Sequence, residues 1–480
     1  MKSKNYLYGL VAVACLISAG LLYWFFPDLA NLWSRGRNAD EVADRGRTVS
    51  GRGGSLIIAY TGDTDGYLEP CGCTQPAMGG VTRRGTALDD LRRTRPSMPL
   101  LVVETGNALK QSDDLDNPMN RWVVEALDAL GTDAVNTTAS DWKRLNRLSE
   151  SGRLRGNVRT VFIASTIQSL PKGSFPVKPY LVQQLQAPDG REAVRVGILA
   201  VSPDMNDETG GAKTMSAEES IRRYLPEVDA QSDLVVLLTR GRSEELPEWA
   251  RKFPGIDLII NGNSTGEGRE FPMVGNTVIV ESAHAGIAVG MLEVEWDAAG
   301  HVRKFKNQLV PLPPMMQESP RLLSIVEDAH KEAVAFEEEE ARKSPVPSQP
   351  TVFAGPEACR PCHEKAFKVW QGSAHAHAIE SLKKGGNQYS RDCVSCHVTG
   401  FDMDRGFVNV IRTPDLAKIQ CEACHGISTD HVTDPLHKHP GLGVFQMNRF
   451  KVKETSCMRC HTLDRSPNFS FATYWKKIEH

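Results

Sequence analysis

Cys359-Arg-Pro-Cys362-His363 is the first of four Cys-x-x-Cys-His repeats that decide how the last quarter of the chain folds. The other three are Cys393-Val-Ser-Cys396-His397, Cys421-Glu-Ala-Cys424-His425 and Cys457-Met-Arg-Cys460-His461. In each repeat, two thiols at i and i+3 can form thioethers with the vinyl groups of one porphyrin, and the adjacent histidine can bind its iron. Zinc ribbons also contain Cys-x-x-Cys pairs, but they do not require a histidine after every second cysteine. The repeats therefore predict four covalently attached haem c groups, with these fifth ligands: His363, His397, His425 and His461.

The spacing of the repeats predicts how this region packs. All four lie within residues 352–480, which leaves about 30 residues for each haem, too few for an apolar core of normal size. The porphyrins themselves are expected to form the core, with a mainly α-helical chain around them. Haems packed this closely lie near van der Waals contact, so electrons can pass between them.

The sixth ligand of each iron decides between an electron carrier and a catalyst. A second histidine saturates the iron and gives a low-spin carrier, whereas an open position lets small molecules bind. Six histidines of this region lie outside the repeats, enough for all four irons: His375, His377, His431, His437, His439 and His480. His377 is the weaker candidate beside His375, because residues at i and i+2 do not share a helical face.

Further stretches of this region follow a known pattern. They are Gly355-Pro-Glu-Ala-Cys359, Trp370-Gln-Gly-Ser-Ala-His375, Cys424-His-Gly-Ile-Ser-Thr-Asp-His431 and the segment from Tyr474-Trp475 to His480. In these stretches residues 352–480 resemble the cytochrome c-554 family of multihaem cytochromes. The resemblance implies that His375, His431 and His480 are distal ligands, with His437 or His439 as the fourth.

The region before the haem repeats has a different pattern. Between residues 55 and 317, short apolar runs such as 56–60 and 100–104 alternate with amphipathic stretches such as 82–93, which predicts an α/β domain. A hairpin is expected at its end, with strands at 290–296 and 302–310. Residues 318–351 are predicted to form a long charged helix and a Pro-rich linker, with the domain boundary there.

Short motifs in this domain occur in a recognisable order. They are Asp63-Thr-Asp65, Gly79-Gly80-Val-Thr-Arg83, Glu104-Thr-Gly-Asn107 and Asp257-Leu-Ile-Ile-Asn-Gly262. In this order the domain resembles the metal-dependent phosphoesterase domain of the 5'-nucleotidase family. The resemblance implies a sandwich of two sheets flanked by helices.

The departures from that family concern its metal ligands. The family's histidines are replaced by Asp65, by Ala139-Ser140-Asp141, by Arg240 and by Asn263-Ser264-Thr265, and Asn107 replaces its bridging aspartate. Such a site works by activating a metal-bound water and clamping phosphoryl oxygens, so we expect no hydrolysis and a scaffold or docking module. A weak site for a hard cation is the alternative, formed by Asp63, Asp65, Asn107, Asp141 and Asn263. The isolated histidines are expected to be surface or packing residues: His284, His301 and His330.

Two cysteines outside the repeats, Cys71 and Cys73, lie in Glu69-Pro-Cys-Gly-Cys-Thr74. Three interpretations stay open: a strained local disulfide, ligands of a soft metal, or inert thiols.

The amino-terminal segment indicates a membrane anchor. An uncharged run at residues 6–26 is long enough to span a bilayer, and it ends in aromatic residues typical of the interface. We predict an uncleaved anchor at 1–27, with a cleaved signal peptide as the alternative, and a linker at 28–54. Because haem c is attached outside the cytoplasmic membrane, the expected arrangement is a single pass with the main body in the periplasm.

Charge and motifs together give a functional expectation. The chain of 480 residues has 56 Lys and Arg against 59 Asp and Glu, so nothing indicates a nucleic-acid partner. The expected function is electron transfer between redox partner proteins. The alternatives are an oxidoreductase acting on a small nitrogen or sulfur compound at a five-coordinate haem, and an active phosphoesterase with an electron-transfer tail.

Overall fold

The computed structural model describes residues 37–38, 53–70, 77–110, 114–154, 158–190, 193–205, 211–263, 268–384, 387–434, 454–462, 466 and 468–480. One compact unit extends to Leu323, and a second extends from Ser324 to His480. Of the described residues before Ser324, Ala77 and Asn117–Met119 group with the second unit. The predicted anchor, Cys71 and Cys73, and His437 and His439 lie outside the described residues. Within the described ranges, none of the helices combines the length and apolar character that a bilayer crossing requires.

The described part of the first unit has two large β-sheets and a two-stranded sheet. Its strands are β1 (Arg37–Asn38), β2 (Gly54–Thr61), β3 (Leu100–Glu104), β4 (Ala134–Asn136), β5 (Val161–Ile163), β6 (Ile167–Ser169), β7 (Tyr180–Gln186), β8 (Ala193–Val201), β9 (Lys213–Thr214), β10 (Leu234–Thr239), β11 (Leu258–Asn261), β12 (Val278–Glu281), β13 (Ala288–Trp296) and β14 (Val302–Pro311). One large sheet has the order β1-β14-β13-β2-β3-β4-β5, the other has the order β12-β11-β10-β8-β7, and the two-stranded sheet consists of β6 and β9. Strands β2 to β5 run parallel, as do β8, β10, β11 and β12, while β7, β13 and β14 are antiparallel to their neighbours.

The core lies between the two sheets. In β10, Leu234, Val236 and Leu238 belong to a buried cluster that contains residues of both sheets. The alternate residues Val235 and Leu237 pack instead in a cluster with helical residues such as Ile221. This alternation follows from the period of two along a strand, and burial of both faces explains the unbroken apolar runs. The predicted two-sheet sandwich flanked by helices is confirmed.

Helices cover the outer faces of the sheets. They are α1 (Val81–Thr94), α2 (Met119–Leu130), α3 (Ala139–Glu150), α4 (Ala217–Gln231) and α5 (Leu246–Lys252). Helix α3 begins at a capping box in which Thr138 Oγ1 accepts from the Asp141 amide, and the Asp141 carboxylate accepts from the Thr138 amide.

The second unit is mainly helical, as predicted. It contains most of α6 (Pro320–Lys343) and then only short helices: α7 (Pro356–Cys359), α8 (Glu364–Gln371), α9 (Ala378–Lys384), α10 (Arg391–Val394), α11 (Cys421–His425), α12 (Thr429–Thr433), α13 (Glu454–Cys457) and α14 (Phe471–Trp475). In the described part of this unit, the buried apolar cluster has six residues: Phe353, Ile379, Val394, Val398, Phe407 and Leu416.

The carboxyl end of α6 packs with this second unit. Asn409 Nδ2 donates to the Ala341 carbonyl at 3.0 Å, and Arg412 Nε donates to the Ser344 carbonyl at 2.8 Å. These bonds satisfy carbonyls that the end of a helix leaves unpaired. The predicted long charged helix is present as α6, and side chains that follow the second haem repeat fix its carboxyl end.

Gly290 in β13 provides a test of the packing between strands. A Cβ at this position would lie 2.0 Å from Cζ of Tyr60, a fully buried ring in the neighbouring strand β2. Gly290→Ala is expected to lower the free energy of unfolding by about 3 kcal/mol, measured by urea denaturation. Gly255→Ala is the control, since its Cβ would meet Leu225 at an ordinary 3.4 Å. Equal stability of the two variants would contradict the prediction.

Candidate functional site

Three residues at the predicted metal positions of the first unit, together with His284, lie at the carboxyl ends of parallel strands. Asp63 follows β2, Asn107 follows β3, Arg240 follows β10 and His284 follows β12. This edge is where ligands bind in open α/β sheets. Asp63 and Asn107 have positive φ angles of 56° and 52°, a backbone strain that is common at such sites.

Asp63 is surrounded by protein donors. Its Oδ1 lies 3.2 Å from Arg240 Nη2 and accepts from Asn107 Nδ2 at 3.1 Å. Its Oδ2 lies 2.6 Å from His284 Nδ1. Arg240 is fixed in turn by donating from Nη1 to the Gly262 carbonyl at 2.9 Å. A guanidinium and an imidazole therefore surround the carboxylate that begins the family's metal-binding motifs.

The second carboxylate, Asp141, is also occupied. Its oxygens accept from the backbone amides of Asn107 and Leu109, both at 3.0 Å, and from Thr138 Oγ1 at 2.9 Å. Of the other two residues, Asp65 donates its backbone amide to the Asn107 carbonyl at 2.8 Å, and Asn263 Nδ2 donates to the Gly241 carbonyl at 3.4 Å. In the described part of the chain, no group of three or more His, Cys, Asp or Glu side chains is arranged to hold a metal ion. The weak cation site that the sequence left open stays a prediction.

His284 lies at the surface, as the sequence analysis expected, and it also contacts Asp63. The hydrogen bond to Asp63 raises the pKa of His284, although partial burial opposes this. Burial alone would raise the pKa of Asp63, but His284, Arg240 and Asn107 outweigh it and lower that pKa. The contact with Asp63 was not predicted, because the position of His284 depends on β12, a four-residue strand that the apolar pattern did not reveal.

The cluster predicts a specific dependence of stability on pH. Because the pKa of His284 is raised in the folded state, its interaction with Asp63 stabilises the fold fully below about pH 6.5. This stabilisation is lost as pH rises through the pKa of His284 in the folded protein. Because the pKa of Asp63 is lowered in the folded state, its ionised carboxylate stabilises the fold above about pH 4. This stabilisation is lost as pH falls through the pKa of Asp63 in the folded protein. Because the His284 side chain is 56% exposed, solvent screening limits the effect to under about 1 kcal/mol.

The measurement is the difference in Tm between the wild type and His284→Asn. We expect it to be largest near pH 5.5 and to shrink by about pH 9. Burial also raises the pKa of Glu104 to about 7, but this group is present in both proteins and cancels in the difference. A difference that grows with pH would contradict the prediction.

The haem repeats of the second unit form compact turns. His363 N donates to the Cys359 carbonyl and His461 N donates to the Cys457 carbonyl, each at 2.9 Å. Each turn therefore keeps the two thiols and the histidine of one repeat together, which is the arrangement that thioether attachment beside an iron ligand needs.

Three repeat histidines lie opposite three of the predicted distal histidines. The ring centroids of His363 and His431 are 6.5 Å apart, those of His461 and His375 are 6.3 Å apart, and those of His425 and His480 are 5.7 Å apart. An iron between two imidazole nitrogens separates the ring centroids by about 6 Å, since each metal–nitrogen bond takes about 2 Å. Burial lowers the pKa values of His375, His425 and His461, which favours the neutral form that binds metals. The residues therefore fit haem, although their ligation of iron stays a prediction.

His397 of the second repeat differs from the other three. Its Nδ1 donates to the Ala378 carbonyl at 2.7 Å, which leaves Nε2 for an iron. Among the residues that the structure describes, no second histidine ring contacts that of His397. The fourth distal ligand was predicted at His437 or His439, which lie outside the described ranges.

Cysteines of different repeats are close together. The thiol of Cys359 in the first repeat lies within hydrogen-bonding reach of Cys421 in the third. The thiol of Cys460 in the fourth repeat lies within hydrogen-bonding reach of Cys396 in the second. The attachment points of the repeats are therefore adjacent in two pairs.

Comparison with known proteins confirms both resemblances. Residues 358–426 match the family model for cytochrome c554 and c-prime. Cytochrome c-554 of Nitrosomonas europaea is 36% identical over 89 residues, which cover 15% of this chain and 38% of that protein. The C-terminal part of the chain is thus similar to haem proteins of the cytochrome c554 type, and the match spans well under half of the cytochrome's length.

Solved structures resemble the first unit. An NAD nucleotidase of Haemophilus influenzae matches with a TM-score of 0.50 and 16% identity, over 76% of this chain and 75% of that protein. A 5'-nucleotidase precursor of Thermus thermophilus gives a TM-score of 0.49 and 19% identity, over 58% of this chain and 59% of that protein. At such identities the first match supports a common fold and no more.

Proposed function

We propose that this protein is a tetrahaem c-type cytochrome that transfers electrons between redox partner proteins. The observation that supports this best is the combination of four Cys-x-x-Cys-His repeats with three opposed histidine pairs. Two axial histidines saturate an iron, which suits electron transfer and excludes substrates from the metal. When bound, haem supplies a reversible one-electron couple, and the chain attaches, orients and shields it.

The order of the haems follows from the cysteine contacts. Cys359 approaches Cys421, and Cys396 approaches Cys460, so the first and third haems form one neighbouring pair and the second and fourth form another. The pKa of Cys424 is raised mainly by burial and also by Cys457 of the fourth repeat. This influence of Cys457 indicates that the third and fourth repeats are neighbours as well. Electrons would therefore pass along the order first, third, fourth, second, or the reverse.

The first unit acts as a scaffold or docking module in this proposal. Asp63, at the start of the family's metal-binding motifs, is paired with Arg240 and His284 instead of facing a metal, which argues for a scaffold without an activated water. Hydrolysis of a generic phosphate ester with added Mn²⁺ or Zn²⁺ tests this, and we expect none. Metal-dependent turnover would favour the phosphoesterase alternative.

The proposed location is the cytoplasmic membrane, with one anchor at residues 1–27 and the main body in the periplasm. It is supported by the uncharged run at 6–26 and by the extracytoplasmic attachment of haem c. Retention of the full chain in the membrane fraction after a high-salt wash, and release of a variant beginning at residue 28, would test it.

Haem content and spin state test the main proposal. The purified holoprotein should give four haems per chain in the pyridine haemochrome assay, and it should be reduced and reoxidised without a bound substrate. Fewer than four haems would contradict the tetrahaem assignment.

A second candidate function rests on His397. Because no other described histidine ring contacts it, the second haem is the place for an open iron position, where a small nitrogen or sulfur compound would be oxidised or reduced. A high-spin ferric EPR signal from about one haem in four would favour this oxidoreductase. Purely low-spin iron would exclude it and leave the carrier.

A further inference from the structure

The fourth haem repeat has surroundings that differ from those of the other three. His461 Nδ1 lies 3.0 Å from Ser466 Oγ. The ring of Phe469 stacks on His461 with centroids 4.6 Å apart and an interplanar angle of 12°. The ring of Tyr474 meets His461 edge-on, with centroids 5.6 Å apart and an angle of 69°. One histidine is therefore held by a hydroxyl group and two aromatic rings.

These contacts restrict the imidazole in two ways. The ring of Phe469 is nearly parallel to the imidazole and blocks its rotation toward that face. The ring of Tyr474 is steeply inclined to the imidazole and packs against its edge. Tyr474 also packs on Phe469 at 5.1 Å, so the two rings support each other. Ser470 precedes α14, and this helix positions Tyr474. The plane of His461 is thus fixed before any ligand is considered.

The hydrogen bond to Ser466 determines which nitrogen remains available. If Nε2 binds iron, the neutral ring has its hydrogen on Nδ1, and that N–H donates to Ser466 Oγ. A donated hydrogen bond makes the imidazole a stronger electron donor, which stabilises ferric over ferrous iron. Ser466 therefore acts on the iron through His461.

Among the described residues, the other repeats lack the pair of aromatic rings. His397 Nδ1 donates to the Ala378 carbonyl at 2.7 Å, and the hydroxyl of Ser381 is farther from it, at 3.4 Å. In the described part of the chain, the rings of His363, His397 and His425 contact no Phe, Tyr or Trp ring. A change in these side chains should therefore affect one haem and spare the rest.

We propose that Ser466 and Phe469 are positioning residues that set the midpoint potential and the axial-ligand geometry of the haem on the Cys457–Cys460 repeat. This inference rests on the proposed electron-transfer function. It adds that the chain tunes the fourth haem separately from its neighbours.

The test of Ser466 is an EPR-monitored redox titration of the holoprotein. The signal of the fourth haem is identified as the low-spin signal that His375→Ala removes. Ser466→Ala should raise its midpoint potential by about 59 mV, which corresponds to a tenfold change in the one-electron equilibrium. Ser466→Thr keeps the hydroxyl and should restore the wild-type value. Ser470→Ala is the control, because Ser470 bonds Thr473 and does not contact a histidine.

The test of Phe469 uses the g values of the same signal, which depend on the relative planes of the two axial rings. Phe469→Leu should shift or broaden that signal and leave the other signals unchanged. Phe471→Leu is a matched control two residues away, since Phe471 stacks on Trp475.

Several outcomes would overturn the inference: an unchanged potential in Ser466→Ala, equal shifts of all haems, or a Thr variant that behaves like Ala. For Phe469, equal effects of the two leucine variants would overturn it. Failure of the proposed function is distinguishable, because it would appear in the wild type as fewer than four haems.

Discussion

His375→Ala is expected to convert one of the four proposed haems from low-spin to high-spin iron. The ring of His375 lies 6.3 Å from that of His461, the separation expected for two axial ligands of one iron. Removal of the side chain leaves that iron with one protein ligand and an open position. Ferric EPR and the absorption spectrum should show a high-spin fraction larger than the wild type's by about one quarter of the iron.

His377→Ala is the matched control. His377 is exposed and its Nε2 lies 3.2 Å from the Gln371 carbonyl, so it is engaged away from the paired rings. Its removal should leave the spin state unchanged. A high-spin increase in His377→Ala, or none in His375→Ala, would show that the distal ligand was assigned to the wrong residue.

Arg240→Ala is expected to destabilise the first unit strongly. Asp63 and Arg240 are only 17% and 14% exposed, so loss of the guanidinium leaves a largely buried carboxylate with weaker compensation. Removal of one partner of a buried pair costs about 3–5 kcal/mol, and the residual exposure reduces our expectation to about 2–3 kcal/mol. Calorimetry should show the transition of this unit about 5–10 °C lower.

Arg242→Ala is the control for this prediction. Its side chain is 75% exposed and pairs only with surface glutamates, so it should change stability by less than about 0.5 kcal/mol. Adding Asp63→Asn to Arg240→Ala should recover part of the loss, because the unpaired carboxylate is removed. Equal effects of the two arginine variants would mean that the cluster does not stabilise the fold.

Strands buried on both faces were predictable from the sequence. The predictions for β2 and β3 agree with the structure within one or two residues, because both faces are buried and the apolar run is continuous. Strand β7 was missed because its polar residues are half-exposed at a sheet edge. Helix α3 was missed because its first residues were compared with metal ligands, although Thr138 and Asp141 form a capping box.

In the candidate sites, motifs that are local in sequence were predictable, whereas contacts between residues far apart in the chain were not. The Cys-x-x-Cys-His repeats are local in sequence, so they identify the attachment residues without a structure. The pairing of His375 with His461 and the contact of His284 with Asp63 join distant parts of the chain. Neither follows from spacing, because both depend on which strand ends and turns meet after folding.

The opposed histidines have a consequence for the assembly of the second unit. Each pair joins residues on the order of 50–90 positions apart, and closing loops of that length costs conformational entropy. A small apolar cluster offsets little of this cost. Coordination would act here as a set of cross-links, so a nascent chain that fails to acquire one porphyrin should stay open along a whole loop. Such a chain would be a ready target for proteolytic clearance.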